Sequence, residues 1–197
     1  MALIVIATGN RGKMTEIRSL LGAQHELQVQ SEFSVPEAEE TGLSFVENAI
    51  LKARNAAQHT GHPSLGEDSG LEVDALDGRP GIYSARFAGP DAVDSENNKK
   101  LLAALNDVTN RRARYRCLAV LVRHAADPAP LICQGTWEGN IATTPRGDGG
   151  FGYDPLFIPL NSDRTAAELG AAEKNRLSHR AQALAELARQ IDQFLAD

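Results

Sequence analysis

The chain has 197 residues, a formal net charge of −6, and 42% hydrophobic and 23% charged residues. That length fits one domain, or two small lobes sharing a core, and the composition is that of an ordinary globular protein rather than a disordered or fibrous one. The acidic balance argues against a nucleic-acid backbone as the main partner, which selects a basic excess. A nucleotide needs only a local cluster of lysines and a metal, and these fit inside an acidic protein.

The first residues, Met1 to Thr8, form a short apolar run without a basic leader or a small-residue cleavage site, and read as a first strand rather than a signal peptide. Nowhere does the chain approach the roughly 20 apolar residues that span a bilayer. Cys117 and Cys133, the only cysteines, lie in apolar strand-like runs without zinc spacing and read as buried free thiols. The expectation is a soluble cytoplasmic protein with no membrane partner.

Strand-like and helix-like signals alternate, which favours an α/β fold. Leu3 to Ala7 is continuously apolar, as in a strand buried on both faces. Thr8 to Lys13 breaks the run, and Ile17, Leu20 and Leu21 place a helix from near Lys13. Ser44 with Glu47 is a capping box opening a helix that reaches about Gln58. Ser64 to Val73 reads as a strand interrupted by Gly70, followed by a Gly/Pro loop from Gly78 to Gly89 and a helix from about Ser95 to Leu105. Its charge-rich part, Glu96 to Lys100, reads as a solvated face. Tyr115 to Val122 and Leu131 to Glu138 are strands joined through Asp127-Pro128. Gly147 to Gly152 is a second glycine-rich loop, Thr165 with Glu168 is another capping box, and a last helix runs from about Ser178 to Leu195.

Four segments carry chemistry. In the turn Thr8-Gly9-Asn10-Arg11-Gly12-Lys13, two glycines permit tight backbone, the helix start offers N–H groups to an anion, and Lys13 adds positive charge. It lacks the Walker spacing, and an ordinary turn with a surface lysine would look the same. Glu37, Glu39 and Glu40 precede Thr41-Gly42, while Glu67-Asp68-Ser69-Gly70 falls on a buried strand, where adjacent carboxylates are costly unless paired or metal-bound. Hard oxygen ligands of this kind suit Mg²⁺, and with it could hold and deprotonate a water. In Gly149 to Pro155, glycines flank Phe151 and Tyr153, so that an aromatic ring can approach a flat base and Asp154 can accept a base or sugar hydrogen bond; core entry is the other reading, above all for Tyr153. Lys174 and Ser178-His179-Arg180 complete the set, with His179 and Arg180 expected at an exposed helix end.

Together these segments resemble the inosine triphosphate pyrophosphatase family. The resemblance extends through Glu47 to Ala53, Leu71 to Asp74 and Gly78 to Arg86, and covers essentially the whole chain, with Glu67 standing where many relatives carry Asp. It implies a single domain over residues 1–197, built as a long mixed β-sheet with flanking helices in two lobes around a central cleft. It also implies a homodimer, a Mg²⁺ cofactor, and hydrolysis of non-standard purine triphosphates (ITP, dITP, XTP) to monophosphate and pyrophosphate. Carried onto this chain, Asp68 matches the general base, and Glu39 with Asp68 the metal ligands. Thr8, Gly9, Asn10, Arg11, Gly12 and Lys13 match the triphosphate loop, Lys52 a phosphate contact and Ser69 a substrate contact. Phe151, Gly152, Tyr153, Asp154, Lys174, His179 and Arg180 match the groups around the nucleoside and phosphates, with Arg180 or backbone N–H groups expected to read the purine six-carbonyl. The rival expectations are a Maf-like pyrophosphatase acting on pyrimidine or modified triphosphates, and a nucleotide-binding module without turnover.

Overall fold

A computed structural model describes residues 2–22 and 25–196. Six strands, β1 (Leu3–Ala7), β2 (Glu26–Val29), β3 (Ser64–Val73), β4 (Arg112–Val122), β5 (Leu131–Ile141) and β6 (Phe157–Pro159), form one mixed sheet in the order β2-β1-β3-β4-β5-β6. Its helices are α1 (Arg11–Leu21), α2 (Phe45–Thr60), α3 (Asp94–Ala104), α4 (Ala171–Leu177) and α5 (His179–Ala196). Among the described residues no helix is long and apolar enough to cross a membrane. The chain divides into two compact units, and β3, β4 and β5 contribute residues to both.

One unit holds the chain up to Asp68, Cys117–Gly135 and the segment from Arg180 onward. Here β1 pairs in parallel with β2 (Ile4 beside Leu27) and with β3 (Ile6 beside Leu65). A parallel strand buried on both faces explains the unbroken apolar run of β1. Side chains alternate along a strand, so each face has its own core. Ile4, Ile6 and Leu65 pack with Ile17 and Leu21 of α1 and with Leu184, Leu187 and Ile191 of α5. Val5 and Ala7 pack with Ala56 of α2, and Ala49, Ala53 and Ala57 pack with Val120 and Val122. The inner row of α2 is alanine because that helix lies unusually close to β3. A side chain on Gly66 would run into the Ala49 carbonyl and come within 2.7 Å of the Ala53 nitrogen. Asn10 caps α1 by accepting from the Lys13 N–H, and Ser44 caps α2 by accepting from the Glu47 N–H.

The other unit holds Ser69–Arg116 and Thr136–His179. Leu71 and Val73 of β3, Ala113 and Tyr115 of β4, Trp137 and Ile141 of β5, and Leu101 of α3 build its core. β6 runs antiparallel to β5, with Ile141 beside Phe157. The Phe157 ring stands edge-on to Tyr115 at 4.8 Å and tilted against Trp137 at 5.3 Å, both favourable aromatic geometries.

Several boundaries differ from the sequence reading. α1 begins at Arg11 because Asn10, not a later residue, supplies the cap. β3 runs through Gly70 without a break, and β5 continues to Ile141. Glu96 to Lys100 is not a uniformly solvated face: Asn97 and Asn98 are buried. The Thr165–Glu168 capping box closes only a single 3-10 turn.

The turn between β4 and β5 is fixed by one buried carboxylate. Asp127 accepts from the Arg123 N–H at 2.9 Å, from its guanidinium at 3.0 Å through both oxygens, and from the Ala129 N–H at 3.0 Å. These bonds, led by the Arg123 side chain, hold its carboxyl well below the usual carboxylate range. A depressed folded pKa stabilises fully above the unfolded value of about 3.9, and the contribution declines as pH falls below that. Asp127→Ala should therefore cost about 2 kcal/mol at pH 7 and less at pH 3. Urea denaturation at the two pH values measures the deficit; an equal deficit at both contradicts the assignment.

Candidate active site

Glu67 and Asp68 are neighbours on β3, so their side chains leave the strand in opposite directions. Glu67 turns toward α1 and α5. Its carboxylate, 1% exposed, pairs with the Lys13 ammonium at 2.8 Å and accepts from the Arg180 guanidinium at 3.1 Å and from the Cys117 thiol at 3.2 Å. Arg180 is equally buried and also bonds Glu16 of α1. Burial works against the guanidinium's charge, but Glu67 foremost, with Glu16, drives its pKa upward. The Cys117 thiol is pushed well above its ordinary value by burial and then by the Glu67 charge.

Asp68 turns toward α2. Its Oδ1 accepts from Lys52 Nζ at 2.8 Å, and among the described residues its Oδ2 receives only a long 3.4 Å bond from the Asn48 side chain. Lys52 and Asn48 are four residues apart, hence on one side of α2. The same Lys52 Nζ lies 2.6 Å from Glu40. Glu40 belongs to the segment before Gly42, whose N–H donates to Asn48 Oδ1 at 2.9 Å and so fastens that segment to the helix start. Burial raises the Asp68 pKa although Lys52 and Lys13 pull it down. Burial also opposes the charge on Lys52, but the Asp68 charge and the bonds to Asp68 and Glu40 prevail and raise its pKa.

The Thr8–Lys13 turn adjoins this group. The Asn10 N–H donates to Thr8 Oγ1 at 3.2 Å, Arg11 is exposed, Gly12 is half-buried, and Lys13 is drawn onto Glu67. The Glu37 carboxylate packs over Gly9 in the space that a side chain there would enter.

A second cluster forms within the other unit around Asp154, which is buried. Its Oδ2 accepts from Lys174 Nζ at 2.6 Å and from the Phe151 N–H at 3.0 Å, and its Oδ1 from the Tyr115 hydroxyl at 3.4 Å. The Phe151 ring lies under the Lys174 ammonium at 4.7 Å, a cation–π contact. His179 stacks flat on Tyr115, with ring centroids 4.6 Å apart. Tyr153 enters the core, and its hydroxyl donates to the Ser84 carbonyl at 2.8 Å. Ser69, the first residue of this unit, is half-buried on β3.

The structure departs from the sequence expectation at the start of α5. His179 and Arg180 are buried rather than at an exposed helix end, because ring stacking and two carboxylates take them inward. Glu39 is exposed, and its side chain joins no hydrogen bond or ion pair among the described residues; Glu40 is the acid that shares Lys52 with Asp68. Asp154 organises its own loop instead of projecting an open acceptor. Asn48, Glu16 and Cys117 carried no sequence signal beyond the spacing of Asn48 and Lys52 on one helix side.

A model of the Ham1 family matches residues 4–190. The chain belongs to the Ham1 family. A Ham1-type relative, the dITP/XTP pyrophosphatase of Thioalkalivibrio sulfidiphilus, is 60% identical over 184 residues, 92% of this chain and 94% of its own. The dITP/XTP pyrophosphatase of Vibrio cholerae is 53% identical over 196 residues, 98% of each chain. Among solved structures, a HAM1 protein of Coxiella burnetii matches with a TM-score of 0.92 at 49% identity, covering 98% of this chain and all of the other.

In this Ham1 chain Arg180 completes a buried charge network, and removing one partner of such a network leaves uncompensated charge. Arg180→Ala should lower stability by about 3–5 kcal/mol. An exposed residue at a helix end would lose less than about 0.5 kcal/mol, so the shift in the urea midpoint separates the two placements.

Proposed function

We propose that this Ham1 protein hydrolyses dITP, ITP and XTP to the nucleoside monophosphate and pyrophosphate; its relatives are named dITP/XTP pyrophosphatases. The observation that carries the proposal is the Lys52 ammonium held between Glu40 and Asp68. Two carboxylates converging on one cation are the donor set a divalent ion needs, and Mg²⁺ takes one or two carboxylates and completes its shell with water and substrate phosphates. The ion would rest on Glu40 and Asp68, the two carboxylates that share Lys52. The resemblance gives this role to Glu39, and the ion pair with Lys52 favours its neighbour Glu40. When bound, Mg²⁺ supplies charge neutralisation on phosphoryl oxygens and a lowered pKa for water.

The chain's own groups do the remainder. Asp68 Oδ2 has spare acceptor capacity beside the long Asn48 bond, and takes the proton of the attacking water. Lys52 keeps Oδ1 and so fixes which oxygen does this. Water attacks the α-phosphorus, the bond to the bridging oxygen breaks, and pyrophosphate departs. Lys13 and Lys52 offset triphosphate charge, and Thr8 to Gly12 offer backbone and hydroxyl donors. Phe151 supplies a stacking ring for the base, while Lys174 and His179 supply donors to the purine six-carbonyl. Arg180, committed to Glu16 and Glu67, supports Glu67 and Lys13 rather than reading the base. As in the family it resembles, the protein acts as a homodimer in the cytoplasm.

In ¹⁸O-labelled water the label should appear in the monophosphate; label in pyrophosphate moves the attack to the β-phosphorus, and orthophosphate as sole inorganic product refutes the reaction. Asp68→Asn should lower kcat by about 10³-fold with substrate still bound; undiminished turnover sinks the mechanism. Faster cleavage of dTTP or UTP than of ITP or XTP would overturn the purine reading. Glu40→Gln should raise the Mg²⁺ concentration for half-maximal activity at least ~10-fold, and Glu39→Gln should leave it unchanged.

A further inference from the structure

We propose that α3 is the support of the base-recognition loop, and that Asp94 and Asn98 are positioning residues that set nucleobase preference through Gly152. The inference rests on the proposed role of Phe151 as the ring under the base.

Asp94 and Asn98 are one helical turn apart, on the same side of α3. Asp94 Oδ2 accepts from the Gly152 N–H at 2.6 Å, and Asn98 Nδ2 donates to the Gly152 carbonyl at 2.9 Å. Both polar groups of one residue therefore end on one helix. Only a glycine reaches the required backbone easily, since Gly152 has φ of +64°. Asp94 lies in the first turn of α3, where the helix dipole favours a carboxylate. The neighbouring Asn97 does the same for another segment: its Oδ1 accepts from the Ala88 N–H at 2.7 Å, and its Nδ2 donates to the Ala85 carbonyl at 3.0 Å. The Tyr153–Ser84 bond then ties that segment to the loop.

The consequence falls on Phe151. Its own N–H is bound by Asp154, and the residue after it is bound by α3. Gly150 and Gly152 both have positive φ (+73° and +64°), and without these bonds the segment between them would be free to swing. Held at both ends, the ring stays at 4.7 Å from Lys174 as a fixed platform. A fixed platform discriminates between bases; a moving one adapts to the wrong base and binds the right one less well. The acids assigned to chemistry, Glu40 and Asp68, belong to the other unit, so loosening the loop should act on binding rather than on turnover.

The test compares kcat and KM for dITP and dGTP in wild type, Asp94→Ala, Asn98→Leu and Asp94→Asn. Asp94→Ala and Asn98→Leu should raise KM for dITP ~10-fold and narrow the dITP/dGTP ratio of kcat/KM ~10-fold, with kcat within ~3-fold of wild type. Asp94→Asn keeps an acceptor oxygen for the Gly152 N–H and should recover most of the ratio. Asp94 is exposed, so its variants fold even if Asn98→Leu does not. A lowered Tm with KM and the ratio unchanged means a merely structural clamp and overturns the inference. A wild type without preference for dITP over dGTP overturns the base reading itself, and the inference falls with it.

Discussion

One carboxylate holds three elements in place. Glu67 is removed from water and receives an ammonium from α1, a guanidinium from α5 and a thiol from β4. A charge at that depth is tolerable only when compensated, and here the compensation comes from different parts of the chain. The network therefore favours one arrangement of α1 and α5 on their face of the sheet. It also keeps Lys13 drawn inward within the Thr8–Lys13 turn.

The strand's alternation divides the labour. Adjacent residues of β3 face opposite ways, so the acid that stabilises and the acid assigned to chemistry are consecutive in sequence yet address different helices. Glu67 is compensated by two cations and a thiol, whereas one oxygen of Asp68 carries only a long amide bond among the described residues. The difference in charge compensation, more than any difference in residue type, sets the two acids apart. The same contrast holds in the other unit, where Asp154 is saturated and acts by shaping its loop.

Much of this was legible in the sequence. The apolar run of β1, the Ser44 cap and the glycine spacing of residues 147–152 each follow from local rules and agree with the structure. The paired acids on a buried strand were rightly singled out, because burial of charge is costly wherever it occurs. What local rules did not reveal was which of several acids faces which partner. Glu39 and Glu40 differ by one residue in an irregular segment, where no periodicity fixes direction, and contacts with α2 such as Gly42–Asn48, Pro36–Asn55 and Glu40–Lys52 orient it. Arg180 looked exposed because its two carboxylate partners lie 164 and 113 residues away in sequence. The buried asparagines of α3 were hidden by charged neighbours that are solvated.

The contact between Gly66 and α2 has a consequence for how the acid and its lysine keep their distance. Where a helix rests on long side chains, its height above a sheet adjusts as those chains change rotamer. Here backbone meets backbone, with only alanine methyl groups beside it. The separation of α2 from β3 is thus set by incompressible main chain, and Asn48 and Lys52 inherit that fixed height. Thermal repacking of the interior has little means of moving them relative to Asp68.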